Sequence, residues 1–274
     1  MAVKTDRLAA VDPMWSSLRA EAADIVASEP RLASFVHATI LNHDRLEGAL
    51  SYHLASKLGS DDAPPMLLRE TFDGAMLESP QIGEAMRADL NAVVQLDPAA
   101  EGYAQPFLYF KGFHAIQAYR AAHFLWRRGR KAMALFLQNR ISECFDVDIH
   151  PAAKIGRGVM IDHATGVVIG ETAVVEDDVS MLHGVTLGGT GKERGDRHPK
   201  VRKGVLIGAG AKLLGNIEIG AYSRVGAGSV VLMSVPAHST VVGVPARVIG
   251  HSDNKDKPSQ DMDQMIKMPP DYQI

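Results

Sequence analysis

The chain of 274 residues is 46% apolar and 22% charged, the proportions of a folded protein with a substantial core in one large or two smaller domains. Its formal net charge of −3 leaves no broad basic surface for a nucleic-acid backbone. One cysteine, Cys144, excludes an internal disulfide and a thiolate zinc cage, and no apolar run approaches the roughly 18 residues that crossing a bilayer requires. Charges come early in Met1–Arg7 with no apolar stretch behind them, so the reading is a cytoplasmic protein. Its expected partners are small molecules or other proteins, with no nucleic acid and no membrane.

Residues 1–145 read as a helical domain. Asp12-Pro13 has the form of an N-cap followed by a first-turn proline, leading into a helix over Met14–Ser28. The segment Arg31–Leu58 carries Leu32, Phe35, Ile40, Leu46, Leu50 and Leu54 at mostly helical intervals. Pro64-Pro65, Ser79-Pro80 and Asp97-Pro98 then mark helix boundaries. A long segment, Gly112–Ile141, sets Ile116, Tyr119, His123 and Trp126 on one face and restarts after Gly129.

Residues 146–250 follow a different period. Aliphatic residues recur every six positions at Ile149, Ile155, Ile161 and Val167, then after a two-residue shift at Ile169, Val175, Met181 and Leu187. The repeat resumes at Ile207, Leu213, Ile219, Val225 and Val231. A period of six suits a short strand and a turn per hexad, three hexads making one triangular coil with the aliphatic residues inside. Coils stacked at a strand spacing of about 4.8 Å give a prism of roughly five coils. The polar stretch Gly189–Lys203 cannot line a prism face and is expected to leave it as an excursion loop, where binding residues commonly sit. Residues 251–274 lose the apolar period and read as a flexible tail.

Several segments are more specific than hexads: Asp146-Val-Asp-Ile-His-Pro-Ala-Ala-Lys-Ile-Gly, Ile161-Asp-His-Ala-Thr-Gly, Val185-Thr-Leu-Gly-Gly-Thr-Gly-Lys and Gly195-Asp-Arg-His-Pro-Lys. With Gln95-Leu-Asp-Pro-Ala and Tyr109-Phe-Lys-Gly-Phe-His-Ala-Ile-Gln-Ala-Tyr-Arg in the helical half, the chain resembles the bacterial serine O-acetyltransferases. The resemblance implies an α + β architecture: an N-terminal all-helical domain, then a left-handed parallel β-helix. The left hand comes from the resemblance alone, since crossover physics favours the right-handed form. It also implies transfer of an acetyl group from acetyl-CoA to L-serine, the first step of cysteine biosynthesis, with no tightly bound cofactor.

That chemistry needs a base near pH 7, and imidazole is the side chain suited to it. The resemblance puts the base at His163 and its orienting carboxylate at Asp148, fifteen residues away and close to one coil. By the same carry-over Asp97 and Asp162 fall at serine contacts, while Arg197, whose guanidinium suits the serine carboxylate, and His198 beside it on the excursion are expected to complete the set. The acyl-donor arm is expected along Gly189, Thr190, Ala209 and Ala227, where small residues leave room. Lys192, Lys200, Arg202 and Lys203 could face the CoA phosphates or simply be solvated. Direct attack in a ternary complex is expected, with Cys144 uninvolved.

The family further implies trimers paired into hexamers, feedback inhibition by L-cysteine, and docking of the C-terminal isoleucine, here Ile274, into O-acetylserine sulfhydrylase. Three alternatives stay open on sequence alone. One is a sugar or antibiotic O-acetyltransferase on the same prism. Another is a zinc enzyme like the γ-type carbonic anhydrases using His150, His163, His183 or His198, and the third is a non-catalytic scaffold.

Overall fold

The computed structural model describes residues 12–192, 194–251 and 257–265. The predicted division into a helical half and a prism is observed. Helix α1 spans Pro13–Ser28, with the Asp12 carboxylate accepting from Trp15 N at 3.2 Å and Pro13 in the first turn. Arg31–Leu58 is not continuous: α2, Ala33–Val36, passes through a wide turn at His37–Leu41, and helix resumes only at α3, Leu46–Leu58. The break is held by tertiary donors. Arg19 Nη1 reaches the carbonyls of Leu41 (3.0 Å) and His43 (2.6 Å), and Trp15 Nε1 reaches that of Asp44 (2.9 Å), supplying the partners that a continued helix would have offered.

The prolines mark the next starts: α4 is Pro65–Glu78 and α5 is Pro80–Leu96. Then come α6, Ala104–Tyr109, α7, Lys111–Arg127, and α8, Lys131–Phe145, with Gly129 at φ +77° in the turn between the last two. Helix α7 is the spine of the molecule, buried along Gly112–Ala122 against helices on one side and the first prism coil on the other. Its polar residues bind the two halves together. Asp89, 1% exposed, accepts from Arg120 Nε and Nη2, Gln117 Nε2 and the Val159 backbone N–H, while Arg120 Nη2 also donates to the Gly156 carbonyl.

The prism has three parallel faces. The first holds β1 (Val147–Ile149), β4 (Val167–Ile169), β7 (Thr186–Gly188), β10 (Lys212–Leu214) and β13 (Val230–Val231). The second holds β2 (Lys154–Ile155), β5 (Val174–Val175), β8 (Lys200–Val201) and β11 (Glu218–Ile219). The third holds β3 (Met160–Ile161), β6 (Ser180–Met181), β9 (Leu206–Ile207), β12 (Arg224–Val225) and β14 (Ser239–Gly243), closed by antiparallel β15 (Ala246–His251). This is a parallel β-solenoid of about five turns, consistent with the left-handed hexapeptide form. Every predicted inward residue is buried except Ile155, which is half-buried.

The register locates two insertions. Strands of an uninterrupted coil pair eighteen residues apart, as Val168 with Thr186 and Lys212 with Val230. Asp148, however, pairs with Val168, and Met160 with Ser180, so the first coil carries two extra residues. Because Ile161 pairs with Met181 and Ile169 with Leu187, the extra pair lies in the corner between the third and first faces, within 162–168. The second insertion, between β7 and β8, is the excursion. It ends sooner than the sequence suggests: Lys200 and Val201 are already strand, with Val201 fully buried, so the loop is 189–199. The tail likewise returns to the body at α9, Pro258–Asp261, where Ser259 is buried and its carbonyl accepts from Ser180 Oγ at 2.9 Å. Ile274 lies outside the described residues.

Candidate active site

A cleft of about 450 Å³ opens where the helical domain meets the inserted corner, lined among others by Asp97, Tyr109, Lys111, Gly112, Asp162 and His163. Gly112 makes the cleft possible. A Cβ there would stand 2.0 Å from the Ile161 carbonyl oxygen, so only glycine lets the start of α7 lie this close to β3. The corner itself is strained. His163 (φ 54°) and Ala164 (φ 59°) are consecutive left-handed residues, and each is spanned by a two-residue hydrogen bond, Ala164 N to Asp162 O at 2.6 Å and Thr165 N to His163 O at 2.8 Å. Two successive γ-turns of the rarer sense result.

This turn projects the His163 ring outward, 74% exposed, with Nε2 3.8 Å from Asp162 Oδ2 and the ring 6.0 Å from that of His183 on the next coil. Asp97 ends α5, and its Oδ1 accepts from Ala99 N at 2.8 Å. The turn-capping contact thus occupies one oxygen while the residue still faces the cleft. Asp97, Asp162 and His163 therefore line one cleft. Asp148 is not joined to them within one chain: it lies on β1, where Oδ1 accepts from Gln138 Nε2 at 2.7 Å.

Arg197 and His198 stand at a different edge, the corner between the first and second faces. Thr172, which nothing in the sequence singled out, is the hub there. Its Oγ1 accepts from the backbone N–H groups of Arg197 (2.9 Å) and His198 (3.1 Å) and lies 2.8 Å from His198 Nδ1. Nδ1 also accepts from Thr172 N, which leaves the ring proton on Nε2. Burial, with Arg197 beside it, holds His198 below the ordinary imidazole value. Arg197 Nη2 donates to Glu171 at 2.7 Å and Nη1 to the Gly195 carbonyl at 3.0 Å, and the guanidinium pulls the Glu171 carboxyl below its usual range.

The expected acyl-donor residues divide in the same way. Gly189 lies against Arg197, and Thr190 lies near Gly215. Ala209 and Ala227 stack above His183 on the His163 edge, with the Gly228 N–H donating to the Ala209 carbonyl at 2.8 Å. Three of the four cations proposed for phosphates are engaged. Lys200 meets Asp196 and the carbonyls of Thr172 and His198, Arg202 bridges Glu176 and Glu218, and Lys203 pairs with Asp178.

The four histidines of the zinc alternative also split, His150 and His198 at one edge and His163 and His183 at the other. Among the described residues, no group of three His, Cys, Asp or Glu is placed to hold a metal ion. Cys144 is exposed at the end of α8, hydrogen-bonded to Arg140 Nη2 (3.3 Å) and the Lys57 carbonyl (3.6 Å) and away from both edges. No described helix is long and apolar enough to cross a membrane.

Residues 14–118 match the family described as serine acetyltransferase, N-terminal, and residues 198–232 match the bacterial transferase hexapeptide family. The serine acetyltransferase of Escherichia coli K12 is 58% identical over 251 residues, 92% of each chain, and that of Haemophilus influenzae is 58% identical over 92% of this chain and 94% of its own. Among solved structures, a serine acetyltransferase from Vibrio cholerae aligns with TM-score 0.90 at 59% identity, over 92% of this chain and 97% of the other. Another, in complex with cysteine, aligns with TM-score 0.91 at 57% identity, over 93% of this chain and 98% of the other. A third, from Brucella abortus in complex with coenzyme A, aligns with TM-score 0.87 at 56% identity, over 89% and 97%. With this identity sustained across both domains, the chain belongs to the serine acetyltransferase family of acyltransferases.

Proposed function

We propose that the chain acetylates L-serine by direct attack within a ternary complex, with His163 as general base. The observation that carries this reading is the position of His163 on the inserted corner, facing a cleft that also holds Asp97 and Asp162. Two carboxylates suit the ammonium of an amino acid. His163 takes the serine hydroxyl proton as the oxygen attacks the thioester carbonyl of acetyl-CoA. When the tetrahedral intermediate collapses, the C–S bond breaks and the imidazolium returns the proton to the CoA sulfur. Asp148, not joined to His163 within one chain, is proposed to orient the imidazole from a second copy, and Gly189, Thr190, Ala209 and Ala227 to line the path of the acyl-donor arm.

The cation for the serine carboxylate, Arg197, and its neighbour His198 flank the first face from the opposite edge. A second copy whose Arg197 edge meets the His163 edge of the first would bring both halves of the amino-acid site together. This supports the expected homo-oligomer, a trimer or a dimer of trimers, in which closure at each edge is satisfied by the same contact. L-cysteine has serine's ammonium and carboxylate and is proposed to compete at this site, a reading supported by the related structure in complex with cysteine. Docking of Ile274 into O-acetylserine sulfhydrylase rests on the family resemblance, and co-elution of the two proteins with and without Ile274 tests it. A single exposed thiol suits a reducing, cytoplasmic setting.

The test is serine-dependent release of free CoA thiol from acetyl-CoA. His163→Ala is expected to lower kcat by at least about 10²-fold and Asp148→Asn by less, while Cys144→Ala keeps most activity. Near-normal turnover of His163→Ala removes it from the base role, and CoA release that ignores serine removes the substrate assignment.

A further inference from the structure

Lys111 stands at the start of α7, inside the cleft, and neither the acid–base step nor the serine contacts use it. Its Nζ donates to Thr165 Oγ1 at 2.5 Å, bridging the helical domain to the turn that carries His163. We propose that Lys111 and Thr165 form a latch that holds the His163 ring in its working position, which makes Lys111 a positioning residue for the proposed base.

The argument starts from the strain of the turn. Left-handed backbone is costly for residues with a Cβ, and two such residues in succession persist only where surrounding contacts over-determine them. The flanking backbone is fixed by Asp162 N to Met181 O at 2.8 Å, Gly166 N to Asp146 O at 2.8 Å, Val167 N to Ala164 O at 3.1 Å and Gly184 N to Thr165 O at 2.7 Å. Beneath the turn, Ala164 is fully buried against the start of α7, its Cβ 3.2 Å from where a Gly112 Cβ would be. None of these contacts touches the outer side of the turn, where His163 and Thr165 are both exposed. On that side Thr165 Oγ1 lies 3.5 Å from the His163 carbonyl and the His163 ring meets only its prism neighbours Asp162 and His183, so among the described residues the Lys111–Thr165 bond is the one hydrogen bond there from the helical domain. It comes from an adjacent domain element that is itself seated in the glycine notch, so the latch transmits the rigidity of α7 to the ring-bearing turn.

The rival use of Lys111 is direct contact with the substrate carboxylate, and kinetics separate the two. The proposal rests on His163 being the base, so His163→Ala is run alongside: a fully active His163→Ala refutes that reading and leaves the turn measurement below intact. For a latch, Lys111→Met and Thr165→Val each lower kcat between about 10-fold and 10²-fold, as expected for a misplaced catalytic group, with KM for serine changed less than about 2-fold. The double variant loses no more than the worse single one, and Thr165→Ser, which keeps the hydroxyl, restores most of the rate. Independently of catalysis, amide exchange at Ala164 and Thr165 is expected to speed up about 10-fold in Lys111→Met. A raised KM for serine in Lys111→Met with normal Thr165→Val kinetics overturns the latch in favour of substrate contact. Multiplicative losses in the double variant, or unchanged exchange at the turn, also overturn it.

Discussion

Asp89→Ala tests what joins the two halves of the molecule. The carboxylate is 1% exposed and serves four donors: Arg120 Nη2 (2.6 Å) and Nε (3.0 Å), Gln117 Nε2 (2.9 Å) and Val159 N (3.0 Å). Removing one partner of a buried ion pair typically costs about 3–5 kcal/mol because the other charge is stranded. Here Arg120, 8% exposed, keeps the Gly156 carbonyl at 2.7 Å, which offsets part of that. The Val159 N–H, left without an acceptor in the first coil, adds about 1–3 kcal/mol. A net loss of about 4 kcal/mol follows, a large share of the ~5–15 kcal/mol that holds a typical domain together. Urea unfolding at fixed protein concentration reads it, followed by tryptophan fluorescence, since Trp15 and Trp126 both report on the helical half. Asp89→Asn keeps one oxygen acceptor and is expected to lose about half as much. A loss below about 1 kcal/mol for Asp89→Ala would show that apolar contact between α7 and the first coil, and not the Asp89 cluster, carries the junction.

Gly170→Ala is expected to displace His198, because the new Cβ would lie 2.0 Å from ring atom Cδ2 and 2.1 Å from Nε2 while Thr172 grips Nδ1. Steady-state kinetics should show KM for serine raised about 10-fold or more with a smaller change in kcat, and unchanged serine kinetics would detach His198 from substrate binding. Stability should fall as pH drops from about 6.5 towards 4. His53 is 2% exposed and held down to about 4 by burial, aided by the charge of Lys57, and His114 beside it is also depressed by burial. The unfolded chain binds protons in that window that the folded chain refuses, so His53 alone contributes about 3 kcal/mol above pH 6.5 that is lost on acidification. The urea midpoint against pH measures this, and His53→Gln, which cannot titrate, should flatten the slope.

The prism was legible because the solenoid demands one inward aliphatic residue per six, and nothing else in the sequence competes with that period. Val201 escaped for a local reason: Lys200, Arg202 and Lys203 surround it, so a fully buried strand residue reads as part of a polar loop. The break before Leu46 was hidden because it contains no glycine or proline and depends on Arg19 and Trp15 reaching across from α1. The roles proposed for Asp97, Asp162 and His163 come from motifs, and their convergence in one cleft follows from the contact of α7 with β3. That Arg197 and His198 sit on the other edge could not be read from spacing. It depends on which corner of each coil a residue occupies, and the insertions shift that count.

The hexad pattern fails at two places that matter, and both are where the proposed chemistry lies. Between Ile161 and Ile169 the corner carries two residues more than its counterpart between Met181 and Leu187. A regular corner here spends a single left-handed position, as Gly184 and Gly210 do on the coils above. The longer one must fold its surplus outward, since the strands on either side are pinned in register by the ladder. His163 and Ala164 adopt the left-handed turns that absorb it, in a conformation for which glycine would cost less. The second failure, between Gly188 and Lys200, turns outward for the same reason and carries Arg197 and His198. A stack of coils has no freedom to move its strands, so it can change what it presents only by lengthening a corner. Departures from the repeat therefore locate the groups proposed for function more directly than the repeat itself, and a histidine in a left-handed corner is a local cost that the proposed base role would explain.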